Sequence, residues 1–388
     1  MKTYRVVNYA CNGVGMGHVT RLLAVNRALR SVLEERQIHC EFYFLTTSDA
    51  DQILAAERFP AFKIPSIKTV EKSGLEYDQF KLLACNMTWK FLDLLKPDLL
   101  LVDTFPMGSF GEFSSLSGFG GMRSCKRKAL IYRPVRAQVA QKNSFQAALQ
   151  QYDQILVPEG REVSDVDMSD SLTARTTFFG PIISCRNDEA LEKSAARQEL
   201  DLPLDKTVIY VSSGGGGNSK SAETLEFICD ALSDAPNLHL AIAAGPLYSG
   251  PKLKASNITW LSLLGASRYL KAFDMAISAA GYNTYHELMH MGIPTVFLPL
   301  DLVADDQFAR ADRATQAGAA HTLKTHNASE LRTYVDNMSD PSVRQTMSER
   351  ASEFVPVNHA EEVALHLADF LIDDIASERL IQSSVISF

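Results

Sequence analysis

Two apolar runs, RVVNYA at 5–10 and TVIYVSS at 207–213, break directly into glycine-bearing turns and then into helical periodicity. The first turn is CNGVGMGH at 11–18 and the second is GGGGNS at 214–219. A strand that feeds a glycine turn and a helix is the opening unit of a doubly wound α/β sheet. It opens each half of the chain, so the sequence predicts two such sheets in succession.

The rest of each half follows the same grammar. Strands are expected at CEFYFLTT (40–47), DLLLVD (98–103), KALIYR (128–133), QILVP (154–158) and TTFFGPIIS (176–184), then at LHLAIAAG (238–245), ITWLS (258–262), MAISAAG (275–281) and PTVFLPL (294–300). Between the first two, Leu22, Val25, Leu29 and Val32 or Leu33 fall on one helical stripe that can pack on a sheet. The polar stretch after Gly180 and Pro181 marks the domain boundary, giving domains at 1–185 and 186–357. An amphipathic helix and tail at 358–388 would pack back on the first domain. No residue-level internal repeat is evident, and 388 residues with 46% apolar content are enough for two buried cores.

A formal net charge of −8 argues against nucleic-acid binding, which normally shows as a basic excess. The six cysteines, at 11, 40, 85, 125, 185 and 229, form no C-x-x-C pair and read as free thiols of a reducing cytoplasm. The first residues lack the apolar stretch of a signal peptide, and no run reaches the roughly 18 apolar residues of a membrane span. The chain is expected to be soluble and cytoplasmic, with peripheral membrane contact left open.

Glycines let a backbone approach a ligand closely, and the unpaired amides at a helix start attract anions. The turn ending in Gly15, Gly17 and His18 departs from the dinucleotide fingerprint, which requires two residues before its third glycine. The alternatives are a purely structural turn, with His18 a turn histidine, and a dinucleotide site with Asp49 as its ribose-binding acid. Ser213 and Gly214, Gly215 and Gly216 can present several amide donors to a diphosphate, or can form a merely flexible loop.

The most specific segment is MAISAAGYNTYHELMHMGIPTVFLPLDLVADDQFARA, 275–311. Its strand, Gly281, Tyr282, Asn283, Thr284, Glu287, Gly292, Pro294, second strand, Asp306 and Gln307 resemble the nucleotide-sugar motif of the GT-B superfamily. Within that superfamily the chain is similar to UDP-glycosyltransferases and to the bacterial lipid-linked peptidoglycan N-acetylglucosaminyltransferases. The G-x-G-H turn and the loop at 213–217 occur in the family's order, so the resemblance covers most of the chain.

The resemblance implies a GT-B fold, two Rossmann-like domains across a cleft, and transfer of a sugar from a nucleotide-sugar donor, UDP-linked first, to an acceptor hydroxyl. It implies inversion in a single displacement, no metal and no cofactor. Glu287 matches the acid that binds the donor ribose. Gly281, Asn283 and Thr284 match the diphosphate turn, as do Gly17, Ser213 and Gly214 to Gly216 for the facing loops. Asp306 and Gln307 match the pair that contacts the sugar, and Trp260 and Leu261 lie where the base edge belongs. Two departures stand out: Ala279 replaces the plant-type histidine, and Arg310 and Ala311 replace an Asn, Ala ending.

Glycosyl transfer needs a base for the acceptor proton and a stabilised leaving diphosphate. His18, at a helix start where the dipole disfavours its protonated form, is the expected base. Asp103, ending a strand, is the expected carboxylate that fixes its tautomer; an ordinary strand-end cap is the alternative. Asp49 with Asp51, and Asp165 with Asp167, are D-x-D patterns better read as solvated than as metal ligands.

The acceptor side is least legible. The segment 105–128, with Arg123, Lys126, Arg127 and Lys128 and then Arg133 and Arg136, suggests a mobile loop for an anionic or lipid-linked acceptor or an acidic membrane surface, or else a solvated basic face. Two rival functions share the fold: a nucleotide-sugar epimerase or hydrolase, and a non-catalytic nucleotide-sugar-binding subunit.

Overall fold

Short runs rich in Val, Ile and Leu, without polar alternation, form parallel strands that are covered on both faces. The computed structural model describes residues 2–11, 15–114, 122–161, 170–186, 188–263 and 265–372. In the first domain the strands are β1 (Tyr4–Ala10), β2 (Cys40–Thr46), β3 (Ala61–Lys63), β4 (Leu99–Asp103), β5 (Arg127–Ile131), β6 (Gln154–Val157) and β7 (Thr176–Phe178). The second domain contains β8 (Thr207–Ser212), β9 (Leu238–Ile242), β10 (Ile258–Trp260), β11 (Met275–Ser278), β12 (Thr295–Phe297) and β13 (Ala320–Thr322).

The sheet orders are β3-β2-β1-β4-β5-β6-β7 and β10-β9-β8-β11-β12-β13. The strand pairs are parallel, with Val6 beside Leu99 in the first sheet and Met275 beside Ile209 in the second. Both sheets therefore reverse their winding between their first and fourth strands. A doubly wound sheet opens a crevice at that reversal, beyond the carboxyl ends of the strands. The turns after β1, β4, β8 and β11 accordingly converge, and they carry His18, Asp103, Ser213 and Gly281.

Several expected strands are shorter in the structure, among them 238–245, 258–262 and 275–281, which end at Ile242, Trp260 and Ser278. The run at 176–184 stops at Phe178, because Pro181 cannot donate to a ladder and Gly180 sits against the His359 ring. The run at 294–300 yields only β12. The first helix, Gly17–Glu35, buries Leu22, Val25, Leu29, Val32 and Leu33, the stripe expected from spacing. Its outer side is covered by the last helix, Ala360–Ile372, through Val363, Ala364, Leu367 and Leu371. Each such aliphatic side chain contributes about 1.5–3 kcal/mol when removed from water, so the last helix fastens the end of the described chain onto the first domain. Among the described residues no helix is long and apolar enough to cross a membrane.

Candidate active site

The two crevices face each other and merge into one cavity of about 1680 Å³, lined by residues of both domains. His18 lies at its wall, in the first turn of the helix Gly17–Glu35, which has no side-chain cap. Its Nδ1 is 3.2 Å from Asp103 Oδ1. Asp103 is fully buried and also takes a two-pronged contact from Arg21, Nε to Oδ2 at 2.9 Å and Nη2 to Oδ1 at 2.5 Å. Burial alone pushes the Asp103 carboxyl up, but the Arg21 charge and the His18 and Arg21 hydrogen bonds override it and leave a pKa of about 2. An ionised carboxylate only accepts, so the proton of His18 sits on Nδ1 and Nε2 is the basic nitrogen. Burial, outweighing the pull of Asp103, holds the His18 pKa below the usual histidine value.

The turn that presents Asp103 is strained. Thr104, a β-branched residue, has φ +62°, and its hydroxyl donates to Asp103 at 2.5 Å. Phe105 follows and packs on the His18 ring with centroids 5.6 Å apart.

Across the cleft, Gly214 and Gly216 adopt φ of +81° and +80°. A Cβ at Gly216 would fall 2.4 Å from the Ala244 carbonyl oxygen, and one at Gly215 would fall 2.9 Å from Gly15 Cα, so the glycine turns of the two domains lie against each other. Ser213 is buried with its hydroxyl unpartnered. The helix Tyr282–His290 starts at Gly281 with no side-chain cap. Its first amides therefore remain available to an anion. Gly17, Gly281 and Thr284 also line the cavity.

Asn283 and Tyr282 have side chains committed to the first domain. Asn283 Nδ2 donates to the Gly17 carbonyl at 3.1 Å and to Thr20 Oγ1, while its Oδ1 accepts from Arg21 Nη1 at 3.2 Å. The Tyr282 hydroxyl donates to the Pro158 carbonyl, and the Arg21 guanidinium lies 4.9 Å from its ring centroid. These two contribute to the cavity through backbone and ring rather than through a free polar head.

Glu287 lines the far end of the cavity beside Ser184 and Ser267. It accepts from Ser184 Oγ at 2.5 Å, and burial pushes its pKa up against the bonds from those serines. Leu261 and Trp260 line the same end; the Trp260 Nε1 is occupied by the Leu253 carbonyl at 2.8 Å.

The expected sugar-contacting pair is reorganised. Asp306 is the N-cap of the helix Gln307–Gln316, accepting from the Ala309 amide at 3.1 Å with half its side chain exposed, and it does not line the cavity. Short acids before a helix satisfy the orphan amides, and that demand takes the carboxylate out of the cleft. Its neighbour Asp305 lines the cavity together with Gln307. Asp305 pairs with Arg133 and with Arg310 Nη2 at 2.8 Å, so Arg310, the departure from the family ending, serves as its cation. Gln307 accepts from the Leu300 amide at 3.0 Å.

The basic run is split between the two ends of β5. Lys126 and Lys128 lie 3.0 and 3.5 Å from Asp98 and Asp153, and Arg127 rests over the Phe370 ring, all at the end remote from the cleft. Arg133 and Arg136 emerge at the cleft end and pair with Asp305 and Asp301. Local carboxylates and a ring thus engage these five side chains, which do not form one basic face; residues 115–121 lie outside the described set. Asp49 accepts from Lys63 and Ser66, both at 2.8 Å, while Asp165 and Asp167 fall outside the described residues.

Three site residues escaped the sequence reading: Arg21, Asp305 and Ser184. Arg21 had a signal, since it is three positions after His18 on one helix face.

Comparison with known proteins bears on the fold and on the second domain. The glycosyltransferase family 28 C-terminal domain matches residues 252–363. The protein named UDP-N-acetylglucosamine--N-acetylmuramyl-(pentapeptide) pyrophosphoryl-undecaprenol N-acetylglucosamine transferase from Aquifex aeolicus is 34% identical over 180 residues, 42% of this chain and 50% of that protein. Its counterpart from Rhodococcus jostii is 23% identical over 376 residues, 91% of this chain and 93% of that protein. For several of these relatives, including that of Clavibacter sepedonicus at 52%, the chain spans about half their length. Among solved structures, spinosyn forosaminyltransferase superposes with a TM-score of 0.66 at 13% identity, covering 95% of this chain and 100% of that one. MurG of Acinetobacter baumannii gives 0.57 at 18% identity, with 95% and 99% covered. A putative UDP-N-acetylglucosamine 2-epimerase from Listeria monocytogenes gives 0.63 at 12% identity, with 97% of each covered. At such identities the structural likeness is one of fold. The chain has the two-domain GT-B fold seen in these glycosyltransferase structures, and its residues 252–363 match the glycosyltransferase family 28 C-terminal domain.

Proposed function

We propose that the chain transfers a sugar from a nucleotide-sugar donor, UDP-linked first, to an acceptor hydroxyl, by metal-independent single displacement with inversion. The observation that carries this reading is the buried His18–Asp103 pair, 3.2 Å apart, across one cavity from an uncapped helix start and a glycine loop. The acceptor hydroxyl gives its proton to His18 Nε2 while its oxygen bonds the anomeric carbon. The bond from that carbon to the diphosphate oxygen breaks, and its electron pair leaves with the nucleotide. Amides of residues 282–284 and 214–216 and the Ser213 hydroxyl stabilise that charge. Glu287 holds the ribose and Gln307 the sugar.

A single ligand pocket usually encloses about 300–1,000 Å³, so the cavity has room for two substrates. The names of the curated relatives specify a pyrophosphoryl-undecaprenol acceptor, which supports a lipid-linked acceptor reached from the cytoplasmic face of a membrane. The test is a thermal-shift screen of UDP-, GDP- and dTDP-sugars, followed by nucleoside diphosphate release with and without a lipid-linked or hydroxyl acceptor. Stabilisation by one nucleotide class and acceptor-dependent release are expected. Release of an altered free sugar from donor alone would favour the epimerase or hydrolase reading, and stabilisation without turnover would favour a binding subunit.

A further inference from the structure

Arg21 is 2% exposed and makes three separate connections. Its Nε and Nη2 fork onto Asp103, Nη2 also donates to Thr104 Oγ1 at 3.0 Å, and Nη1 donates to Asn283 Oδ1 at 3.2 Å. Asp103 and Thr104 end the fourth strand of the first sheet, whereas Asn283 opens the helix whose amides face the cavity from the second domain. Asn283 in turn returns a bond to the Gly17 carbonyl, one residue before His18. Three elements thus meet on one guanidinium, each one bond away from His18 or from the helix start opposite it.

We propose that Arg21 is a positioning residue: it clamps Asp103 in the orientation that fixes the His18 tautomer and, through Asn283, makes that clamp depend on docking of the second domain. This rests on His18 acting as the base of the reaction proposed above. The fork matters because His18 and the Thr104 hydroxyl both meet Oδ1, while Arg21 Nε holds Oδ2; a carboxylate held at both oxygens cannot swing away from the imidazole, whereas one held at Oδ1 alone can rotate. The charge matters because the ionised groups facing His18 are Asp103 at the end of β4, Arg21 on its own helix and Arg133 after β5. Arg21 balances Asp103, so the imidazole is not driven to its charged form by a lone carboxylate beside it.

The experiment is an NMR titration of the full chain carrying ¹³C-labelled histidine, with the His18 signal assigned by its loss in His18→Gln. Arg21→Gln removes the clamp and the balancing charge, and the His18 midpoint is expected to rise by roughly one pH unit. Arg21→Lys keeps the charge without the fork, so the midpoint stays near that of the parent while the Nδ1 tautomer signature broadens. Asn283→Asp sets a competing carboxylate against Arg21 at a half-buried position and is expected to shift the midpoint upward; Asn283→Ala adds no charge and leaves the midpoint in place, but by cutting the link to the second domain it broadens the Nδ1 tautomer signature. If Arg21→Gln fails to fold, the Asn283→Asp and Asn283→Ala pair decides the matter. A His18 midpoint unchanged in Arg21→Gln, or identical in the two Asn283 variants, overturns the proposal. Donor binding is measured separately with UDP alone, so a chain that ignores UDP would discredit the transferase reading while the Arg21 result stands by itself.

Discussion

Asn283 of the second domain bonds the Gly17 carbonyl of the first at 3.1 Å, so the helix start expected to receive a diphosphate sits directly on the helix start that carries His18. Two positive helix ends would repel each other without something anionic between or beside them. Asp103, deep in the first domain, is already balanced by Arg21, and in the proposed reaction the leaving diphosphate would supply the negative charge. Under the proposed function, a diphosphate bound between these two helix starts would meet that electrostatic demand.

Within the glycine loop, Gly216 has no room for a side chain. Gly216→Ala combines a positive φ with a Cβ 2.4 Å from a backbone oxygen. We expect a loss of roughly 1–3 kcal/mol in stability and at least a tenfold weaker UDP affinity, measured by thermal unfolding and by calorimetric titration. An unchanged affinity would remove the loop from the phosphate site.

Asp305 anchors two buried guanidinium groups, Arg133 of the first domain and Arg310 of the second. Removing one partner of a buried pair strands the charge left behind, at a cost of about 3–5 kcal/mol. Asp305→Ala should therefore lower the unfolding midpoint far more than Asp306→Ala, whose carboxylate is an exposed cap costing about 1 kcal/mol. Denaturant unfolding of both variants checks the order; equal effects would contradict the assignment of Asp305 to the buried cluster.

Glu112 is buried, accepting from the Phe110 amide at 2.7 Å, and burial pushes its pKa up to about 7 against the backbone hydrogen bonds. Its folded value exceeds the unfolded one, so the folded state binds the proton more tightly. That contribution is complete below the ordinary glutamate range and is lost as pH rises through about 7. The loss amounts to roughly 3 kcal/mol at high pH. Thermal unfolding from pH 5 to 9 should show the parent weakening across this window and Glu112→Gln showing a flatter profile.

How much of this was legible follows from where each signal resides. Eleven of the thirteen described strands announced themselves because parallel strands covered on both faces must be largely apolar; β3 and β13 did not, being three residues long and, for β3, exposed along its length. The strand at 154–158 was legible for the same reason, closing on Val157 before Pro158. His18 and Asp103 could be read because each follows or ends a strand at a turn, where topology sends side chains into the crevice. Arg21 carried only the weaker signal of sharing a helix face with His18, and its bond to Asp103, 82 positions away, appears only in the folded register. The exchange of Asp306 for Asp305 has a local cause: whichever acid precedes the helix becomes its cap, and a motif match cannot resolve a shift of one residue. The basic run misled because strand β5 passes between its two parts and delivers them to opposite ends of the sheet.

The pH dependence of turnover follows from His18. With its pKa held below the usual histidine value, the base is already unprotonated at neutral pH, and the rate should fall only as pH drops through that lowered value. A rate profile with its acidic limb above the ordinary histidine range would contradict the burial of the base described here.

The most direct test of the account is His18→Gln, measured for donor affinity and for acceptor-dependent release of nucleoside diphosphate in parallel. The account predicts an affinity within a few-fold of the parent and turnover lower by about 10²–10⁴-fold. Undiminished turnover in His18→Gln would contradict it.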